Sequence, residues 1–232
     1  MSLFRKRRIA GIDGVIFTSR HLQQTKKRRE SLPDLYLPHG VNYEHFACEE
    51  TEKKPIDLLE KIKKPIIGFY GTVNSWVDLP AIVYLAKRFP QCSFVVIGPR
   101  LVPTTILEGL ENVHCLGQIP YSDLPRYVRY FDVGLIPYIL NVYIKAVNSL
   151  KLREYFAAGL PVIAARLPDM ADVPGPLYFV DTHEEYGNRL EEILQSDMSA
   201  LRRQAQDVAR QNSWSARAES FVQFVEQVTP AS

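Results

Sequence analysis

The chain has 232 residues, enough for one or two domains, and its 46% hydrophobic and 23% charged residues are typical of a globular protein. The formal net charge of +2 is too close to neutral to favour nucleic acid, so we expect no nucleic-acid partner. Three scattered cysteines (Cys48, Cys92 and Cys115) fit neither a disulfide framework nor a metal site, so we predict that no metal is bound. No apolar run is long enough to span a bilayer, and together with the cysteine usage this predicts a cytoplasmic protein.

Short apolar segments that recur along the chain are the main signal of the fold. Their hydrophobicity is continuous, which is typical of strands that are covered on both faces. The predicted strands lie at residues 14–17, 66–70, 94–97, 133–136 and 161–164, with weaker ones at 113–115 and 177–180. We therefore predict a parallel sheet.

Segments with helical spacing lie between these strands. The predicted helices cover residues 22–29, 79–89 and 122–130, and residues 182–228 are predicted to be almost all helical. Ser122 and Ser213 are the expected N-caps of two of them. Strands and helices that alternate in this way predict an α/β fold with a Rossmann-like, doubly wound parallel sheet.

The beginning of the chain does not fit this pattern. Residues 1–30 read as a basic helix, a strand and a second basic helix, and a proline-containing stretch follows at 32–40. One strand with two helices cannot bury its own faces, so it either joins the main sheet or belongs to a largely absent domain. The basic runs at 5–8 and 26–29 are either solvated helix faces or contacts with an anionic membrane surface. In the second case each cation would contribute about 1 kcal/mol to membrane binding.

Several loops that follow predicted strands have compositions suited to ligands, which bind beyond the carboxyl ends of such strands. Gly71 and Thr72 offer backbone N–H groups and a hydroxyl to a phosphate. Arg100 can pair with a phosphate through two hydrogen bonds. The backbone at Gln118 and Ile119 can hydrogen-bond a planar base. Each feature also has a structural interpretation, as a tight turn, a solvated arginine and an exposed loop.

A stronger signal lies at residues 148–164, which read as a loop, a capped helix, a glycine stop and a buried strand. Unpaired N–H groups at Ser149, Leu150 and Lys151, at the positive end of the helix, predict an anion site. The side chain of Lys151 adds a cation. Glu154 lies about one turn further on, close enough to accept two hydrogen bonds from a ribose diol. The structural alternative is an amphipathic helix whose glutamate favours the helix dipole.

Residues 150–164, LKLREYFAAGLPVIA, resemble the donor-site signature of the GT4-like (group 1) glycosyltransferases, which have the GT-B fold. The typical pattern of that family is Lys-Leu-x-Glu-Tyr-x-Ala-x-Gly-x-Pro-Val. Six further segments resemble the family in the same order, and they are DGVIFTSRHL, LPHGVNYEHF, IIGFYGTVNSWVDL, FVVIGP, NVHCLGQIPYSDLPRYVRYFDVGLIPY and WSARAESF. The resemblance covers nearly the whole chain.

This resemblance implies that the chain forms the C-terminal half of a GT-B fold. Residues 1–40 would be a remnant of the N-terminal acceptor domain plus the linker, and residues 41–232 would be the C-terminal, nucleotide-sugar-binding domain. Glu154 would bind the ribose, the backbone at 149–151 would hold the diphosphate and the loop at 118–119 would read the base. Gly71 would lie beside the phosphates in the cleft between the domains. The resemblance implies no cofactor, with a UDP- or GDP-sugar as the substrate.

The sequence departs from the family pattern at two places. Ala146 stands eight residues before Glu154, where many members carry a glutamate that touches the transferred sugar. The loop at 72–78 lacks the arginine and lysine that many members have there. Arg100 and Lys151 are the expected substitutes for this phosphate clamp, and we assign no catalytic residue.

We therefore predict the donor-binding part of a glycosyltransferase that transfers a sugar from a nucleoside-diphosphate sugar to a glycan or lipid-linked acceptor. The expected partners are the donor, the missing N-terminal acceptor domain or a partner chain, and the inner face of the membrane as a peripheral contact. Alone, the chain is expected to bind nucleotide weakly and to transfer no sugar. The alternatives are a non-catalytic GT-B-like binding or scaffolding module, and a sugar-nucleotide epimerase, whose acid and base residues we cannot place.

Overall fold

The computed structural model describes residues 12–26, 32–47 and 56–229. The strands in this part of the chain are β1 (Val15–Phe17), β2 (Asp34–Tyr36), β3 (Ile66–Tyr70), β4 (Ser93–Ile97), β5 (Val113–Gly117), β6 (Val133–Ile136), β7 (Val162–Ala165) and β8 (Leu177–Val180). The α-helices are α1 (Arg20–Lys26), α2 (Tyr43–Ala47), α3 (Asp57–Glu60), α4 (Leu79–Arg88), α5 (Leu124–Val128), α6 (Leu150–Ala157), α7 (His183–Leu194), α8 (Met198–Gln211) and α9 (Trp214–Val228). Short 3₁₀ helices lie at Thr105–Leu107, Ile144–Ala146 and Pro168–Met170.

Six of the strands form one parallel sheet with the order β5-β4-β3-β6-β7-β8. From β3 the chain winds outward through β4 to β5, and it then returns to the other side of β3 and winds outward through β6 and β7 to β8. Right-handed crossovers that run in opposite directions place their helices on opposite faces of the sheet. The predicted α/β fold with a Rossmann-like doubly wound sheet is confirmed.

The inner strands explain why the sequence signal was continuous. Every residue of β3, β4, β6 and β7 is buried, because helices cover the sheet. Helix α6 packs against α8, and α4 packs against α7. The strands predicted at 66–70, 133–136 and 177–180 have these bounds in the structure, and the others differ by one or two residues at one or both ends.

The N-terminal strand does not join the main sheet. Strand β1 instead pairs in parallel with β2, which lies within the proline-containing stretch that we read as a linker. The prediction of a single strand was therefore wrong, because a second one of three residues completes a separate two-stranded sheet. The basic run at 5–8 lies outside the described residues. Of the basic run at 26–29, only Lys26 is described, and it is the last residue of α1. The proposed domain division at residue 40 stays a prediction.

Helix starts follow the predicted caps only in part. The hydroxyl of Ser213 accepts a hydrogen bond from the backbone N–H of Ala216 and caps α9, as predicted. Helix α5 begins at Leu124, with Asp123 and not Ser122 in the N-cap position and without a side-chain cap bond. None of the helices in the described residues is long and apolar enough to cross a bilayer.

Candidate functional site

A cleft of about 510 Å³ opens beyond the carboxyl ends of the central strands. It lies where β3 separates the two outward-winding halves of the sheet, which is where open α/β sheets bind their ligands. Its volume falls in the range of small-molecule sites. Eight of the nine predicted site residues line it, namely Gly71, Thr72, Gln118, Ile119, Ser149, Leu150, Lys151 and Glu154.

Two glycines shape the floor of this cleft. Gly71 follows β3 with a φ of 131°, and Gly98 follows β4 with a φ of 139°, conformations that other residues rarely adopt. A Cβ on Gly98 would lie 2.1 Å from the carbonyl oxygen of Gly71. A Cβ on Gly71 would lie 2.5 Å from Cε of Lys151. Glycine at both positions therefore lets two strand ends and a lysine side chain meet at one place.

Helix α6 points its N-terminus at the same cleft. Ser149 precedes the helix with extended backbone angles and is buried, but its hydroxyl makes no cap bond, so the helix that we predicted as capped begins without a side-chain cap. The N–H groups of a first helical turn have no partner within the helix, and they carry the positive end of the helix dipole. The mouth of α6 can therefore donate hydrogen bonds to an anion.

Lys151 supplies a full positive charge beside this helix end. Its Nζ donates a hydrogen bond to the Tyr138 hydroxyl over 2.8 Å and lies 5.6 Å from the centre of the Tyr138 ring. No carboxylate among the described residues lies within ion-pair distance of this Nζ. The charge of Lys151 is held in place by Tyr138 and remains available to an anionic ligand.

Glu154 is almost fully buried, with 7% of its surface exposed, yet it lines the cleft. Its Oε2 accepts a hydrogen bond from the Tyr70 hydroxyl over 2.5 Å, and its Oε1 accepts one from the Tyr121 hydroxyl over 3.1 Å. Burial, together with the charge of Glu154, raises the pKa of Tyr121 to about 12 and that of Tyr70 well above its usual value. Both phenols are therefore neutral donors at physiological pH.

The structure does not bring Arg100 into the cleft. Its side chain is exposed, and Nη1 donates a hydrogen bond to Oγ1 of Thr104 over 3.2 Å. Arg100 lines a separate hollow with Leu107 and Cys115. Of the two expected phosphate cations, only Lys151 is placed where a ligand in the cleft can reach it.

Three tyrosines of the cleft were missed as site residues, because core or rim packing is the ordinary role of a tyrosine. They are Tyr70, Tyr121 and Tyr138, and all three line the cleft. Each stands at or within four residues of the carboxyl end of a strand. That position was the available signal, since side chains at these strand ends converge at one edge of a parallel sheet.

Comparison with known proteins places this chain in a family. A sequence profile described as "Glycosyl transferases group 1" matches residues 64–196, more than half of the chain. A Bacillus subtilis (strain 168) protein described as "Putative teichuronic acid biosynthesis glycosyltransferase TuaH" is 26% identical over 187 residues. The aligned part covers 77% of this chain and 47% of that protein, so the chain spans about half the length of this curated relative.

Solved structures show the same fold. Anabaena Alr3699/HepE, crystallised in complex with UDP and glucose, has a TM-score of 0.72 at 15% identity, covering 93% of this chain and 63% of that one. A UDP-forming trehalose-phosphate synthase from Burkholderia xenovorans has a TM-score of 0.73 at 16% identity, covering 94% and 62% respectively. The chain thus has the fold of GT-B glycosyltransferases and spans less than two thirds of the length of either protein.

Proposed function

This chain belongs to the group 1 glycosyltransferases, and we propose that its cleft binds the nucleoside-diphosphate part of a nucleotide-sugar donor. One observation carries the proposal. The mouth of α6, the positive charge of Lys151 and the carboxylate of Glu154 all line one cleft at the centre of the sheet. A ligand that carries anionic phosphates close to a sugar diol is complementary to this set.

Each part of the donor has a matching part of the cleft. The diphosphate would lie against the mouth of α6, beside the Lys151 side chain and the half-buried turn at Gly71 that it adjoins. The N–H of Gly71 is not available to it, because it donates to the carbonyl oxygen of Ile97 over 2.8 Å. The ribose hydroxyls would donate to Glu154, which still has lone pairs to accept them. The loop at Gln118 and Ile119 borders the cleft and would contact the base.

The chemistry that follows from this arrangement is electrostatic. Transfer of the sugar leaves a nucleoside diphosphate, on which negative charge develops at the phosphate. The helix mouth and Lys151 are preorganised to stabilise that charge, and the cleft holds the donor in one orientation. We propose no catalytic acid or base among the described residues.

The acceptor and the setting of the reaction are further parts of the proposal. Acceptor binding would need a second domain or a partner chain, and the coverage of only 47% of the Bacillus subtilis relative supports this. That relative's description, which names teichuronic acid biosynthesis, supports a glycan as the acceptor class, and a lipid-linked acceptor is the other form that we propose. The free thiols of Cys92 and Cys115 support a reducing compartment, so we propose a cytoplasmic enzyme. Work at the inner face of the membrane is proposed only together with a lipid-linked acceptor.

Calorimetric titration with UDP and with GDP tests the proposed donor site. We expect one of them to bind, and we expect Glu154→Ala to weaken it by about tenfold or more, because charge-assisted hydrogen bonds to the ribose are lost. Lys151→Met should weaken binding by a similar factor. Arg100→Met is the matched control, since Arg100 lies outside the cleft, and it should change the affinity by less than about twofold.

Several results would contradict the proposal. Undiminished binding by Glu154→Ala would show that the nucleotide does not use this carboxylate. If neither nucleotide binds, the non-catalytic binding or scaffolding module is favoured instead. If Arg100→Met weakens binding as much as Lys151→Met, the phosphates lie towards β4 and not at the mouth of α6.

A further inference from the structure

Two tyrosine hydroxyls donate hydrogen bonds to the carboxylate of Glu154, and the two tyrosines differ in burial and in the length of that hydrogen bond. Tyr70 is 6% exposed and donates to Oε2 over 2.5 Å. Tyr121 is 54% exposed and donates to Oε1 over 3.1 Å. The Tyr70 contact is therefore short and enclosed by protein, whereas the Tyr121 contact is longer and borders solvent.

Tyr70 is fixed at both its backbone and its ring. It is the last residue of β3, and its backbone N–H donates to the Tyr155 hydroxyl over 3.2 Å. The two rings also pack edge to face, with their centres 5.0 Å apart. The Tyr155 hydroxyl itself donates to the carbonyl oxygen of Gly68 in the same strand. The Tyr70 hydroxyl can therefore leave Glu154 only if the end of β3 is rearranged.

Tyr121 is held through its backbone carbonyl and one face of its ring, but in a loop and not in a strand. It lies in the loop after β5, where its carbonyl oxygen accepts a hydrogen bond from Nε2 of His45 over 3.2 Å. Its ring stacks on the His45 ring, with the centres 5.0 Å apart and the planes at 30°. The hydroxyl can leave Glu154 when the half-exposed side chain turns away from the His45 and Phe46 rings, and no strand of the sheet has to move.

Because Glu154 is buried, the difference between the two tyrosines affects how a ligand can bind to its carboxylate. With only 7% of its surface exposed, the carboxylate needs hydrogen-bond donors even when the cleft is empty, because an unpaired buried charge is costly. A ribose diol that enters the cleft brings two new donors to the same two oxygens. Exchanging the exposed phenol for a ribose hydroxyl keeps Oε1 satisfied in both states.

On the assumption that Glu154 binds the ribose as in the proposed function, we propose separate roles for the two tyrosines. Tyr70 is a positioning residue that permanently fixes the Glu154 carboxylate for a ribose diol. The Tyr121 hydroxyl occupies the place of one ribose hydroxyl in the empty site and is exchanged for it on binding. The site thereby discriminates against nucleotides that lack ribose hydroxyls, since these cannot replace the phenol.

The two Tyr→Phe variants should change nucleotide affinity in opposite directions. The probes are the nucleotide that binds in the titration above, UDP or GDP, and its 2′,3′-dideoxy form. Tyr70→Phe should weaken binding of the ribonucleotide by about tenfold, because the carboxylate loses a charge-assisted hydrogen bond that orients it. Tyr121→Phe should tighten binding of the ribonucleotide by about fivefold, because no phenol has to be displaced. The affinity for the dideoxy nucleotide should stay within about twofold in both variants.

Tyr84→Phe is the matched control, since its hydroxyl contacts Arg88 on α4 and not the cleft, and melting temperatures verify that each variant is folded. Weaker ribonucleotide binding by Tyr121→Phe would overturn the exchange. An unchanged ratio of ribonucleotide to dideoxy affinity in Tyr70→Phe would overturn the positioning role. Glu154→Ala separates this inference from the proposed function. If the carboxylate binds ribose at all, this variant must bind the ribonucleotide and the dideoxy nucleotide with nearly equal affinity.

Discussion

Arg153 and Glu154 are adjacent in α6 and equally buried, with 6% and 7% of their surfaces exposed, but they face different surroundings. Glu154 faces the cleft, where two hydroxyls donate to it and lone pairs remain for a ligand. Arg153 faces a hollow of about 140 Å³ that is also lined by Tyr36 of β2. The comparison shows that burial of a charge does not by itself identify a binding residue. What distinguishes Glu154 is that its hydrogen-bond partners leave room for more.

The Arg153 side of α6 has the character of a junction between parts of the chain. Burial lowers the pKa of Arg153 to about 10, and its Nη1 donates to the carbonyl oxygen of Ser149 over 3.3 Å. Asp169 lines the same hollow, and its Oδ1 accepts a hydrogen bond from the backbone N–H of Arg20, the first residue of α1, over 2.6 Å. These contacts tie β2 and α1 to the main domain, so we expect mutations here to change stability more than nucleotide binding.

Gly134→Ala should have the largest effect on stability, because it disturbs α6, the helix that carries both Arg153 and Glu154. A Cβ on Gly134 would lie 2.7 Å from the ring of Tyr155, which α6 packs onto the sheet. We expect a loss of about 3 kcal/mol in the free energy of unfolding, measured by urea denaturation. Gly109→Ala is the control, since its φ is 79° but no atom lies within 4 Å of its Cβ, and it should cost about 1 kcal/mol. Equal losses would show that α6 shifts without strain.

Asp169→Ala should have an intermediate effect that is confined to the junction. The N–H of Arg20 loses its acceptor, so the free energy of unfolding should fall by about 1–2 kcal/mol in the same assay. Asp169→Asn keeps an oxygen acceptor and should lose less than half of that. Nucleotide affinity should stay within about twofold in both variants. A parallel loss of nucleotide affinity would show that the two sides of α6 are coupled.

The smallest effect should come from protonation of His39 at the junction. Burial and the nearby charge of Arg153 lower the pKa of His39 below its ordinary value of 6.5. The unfolded chain therefore binds a proton more readily than the folded one. The contribution of His39 is present above pH 6.5 and is lost as the pH falls through the lowered pKa.

Replacing His39 removes this contribution to the pH dependence. We expect the loss of unfolding free energy between about pH 7.5 and about pH 5 to be smaller in His39→Gln than in the natural sequence. Nucleotide affinity at neutral pH should not change, because His39 does not line the cleft. An equal loss in both proteins would mean that His39 is not buried in its neutral form.

Much of the site was predictable because its parts are local in sequence. The glycine after β3 and the first turn of α6 each have a signature within a few residues, and both line the cleft as expected. The strand at 66–70 was predicted to the residue, since burial on both faces leaves a continuous apolar run. Strand β2 was missed, because its three half-buried residues form a strand only by pairing with β1.

The sequence by itself determined the strands of the main sheet and their alternation with helices, the α/β class and the helix whose mouth forms the candidate anion site. Local hydrophobicity, glycine and helix-start signals are sufficient for these features. Only the tertiary structure decided what surrounds Glu154 and which cation reaches the cleft. Tyr70 is 84 residues from Glu154 in sequence, and only the order of strands in the sheet brings the two together. The direction of the Arg100 side chain, towards Thr104 and away from the cleft, likewise depends on contacts that no local pattern encodes.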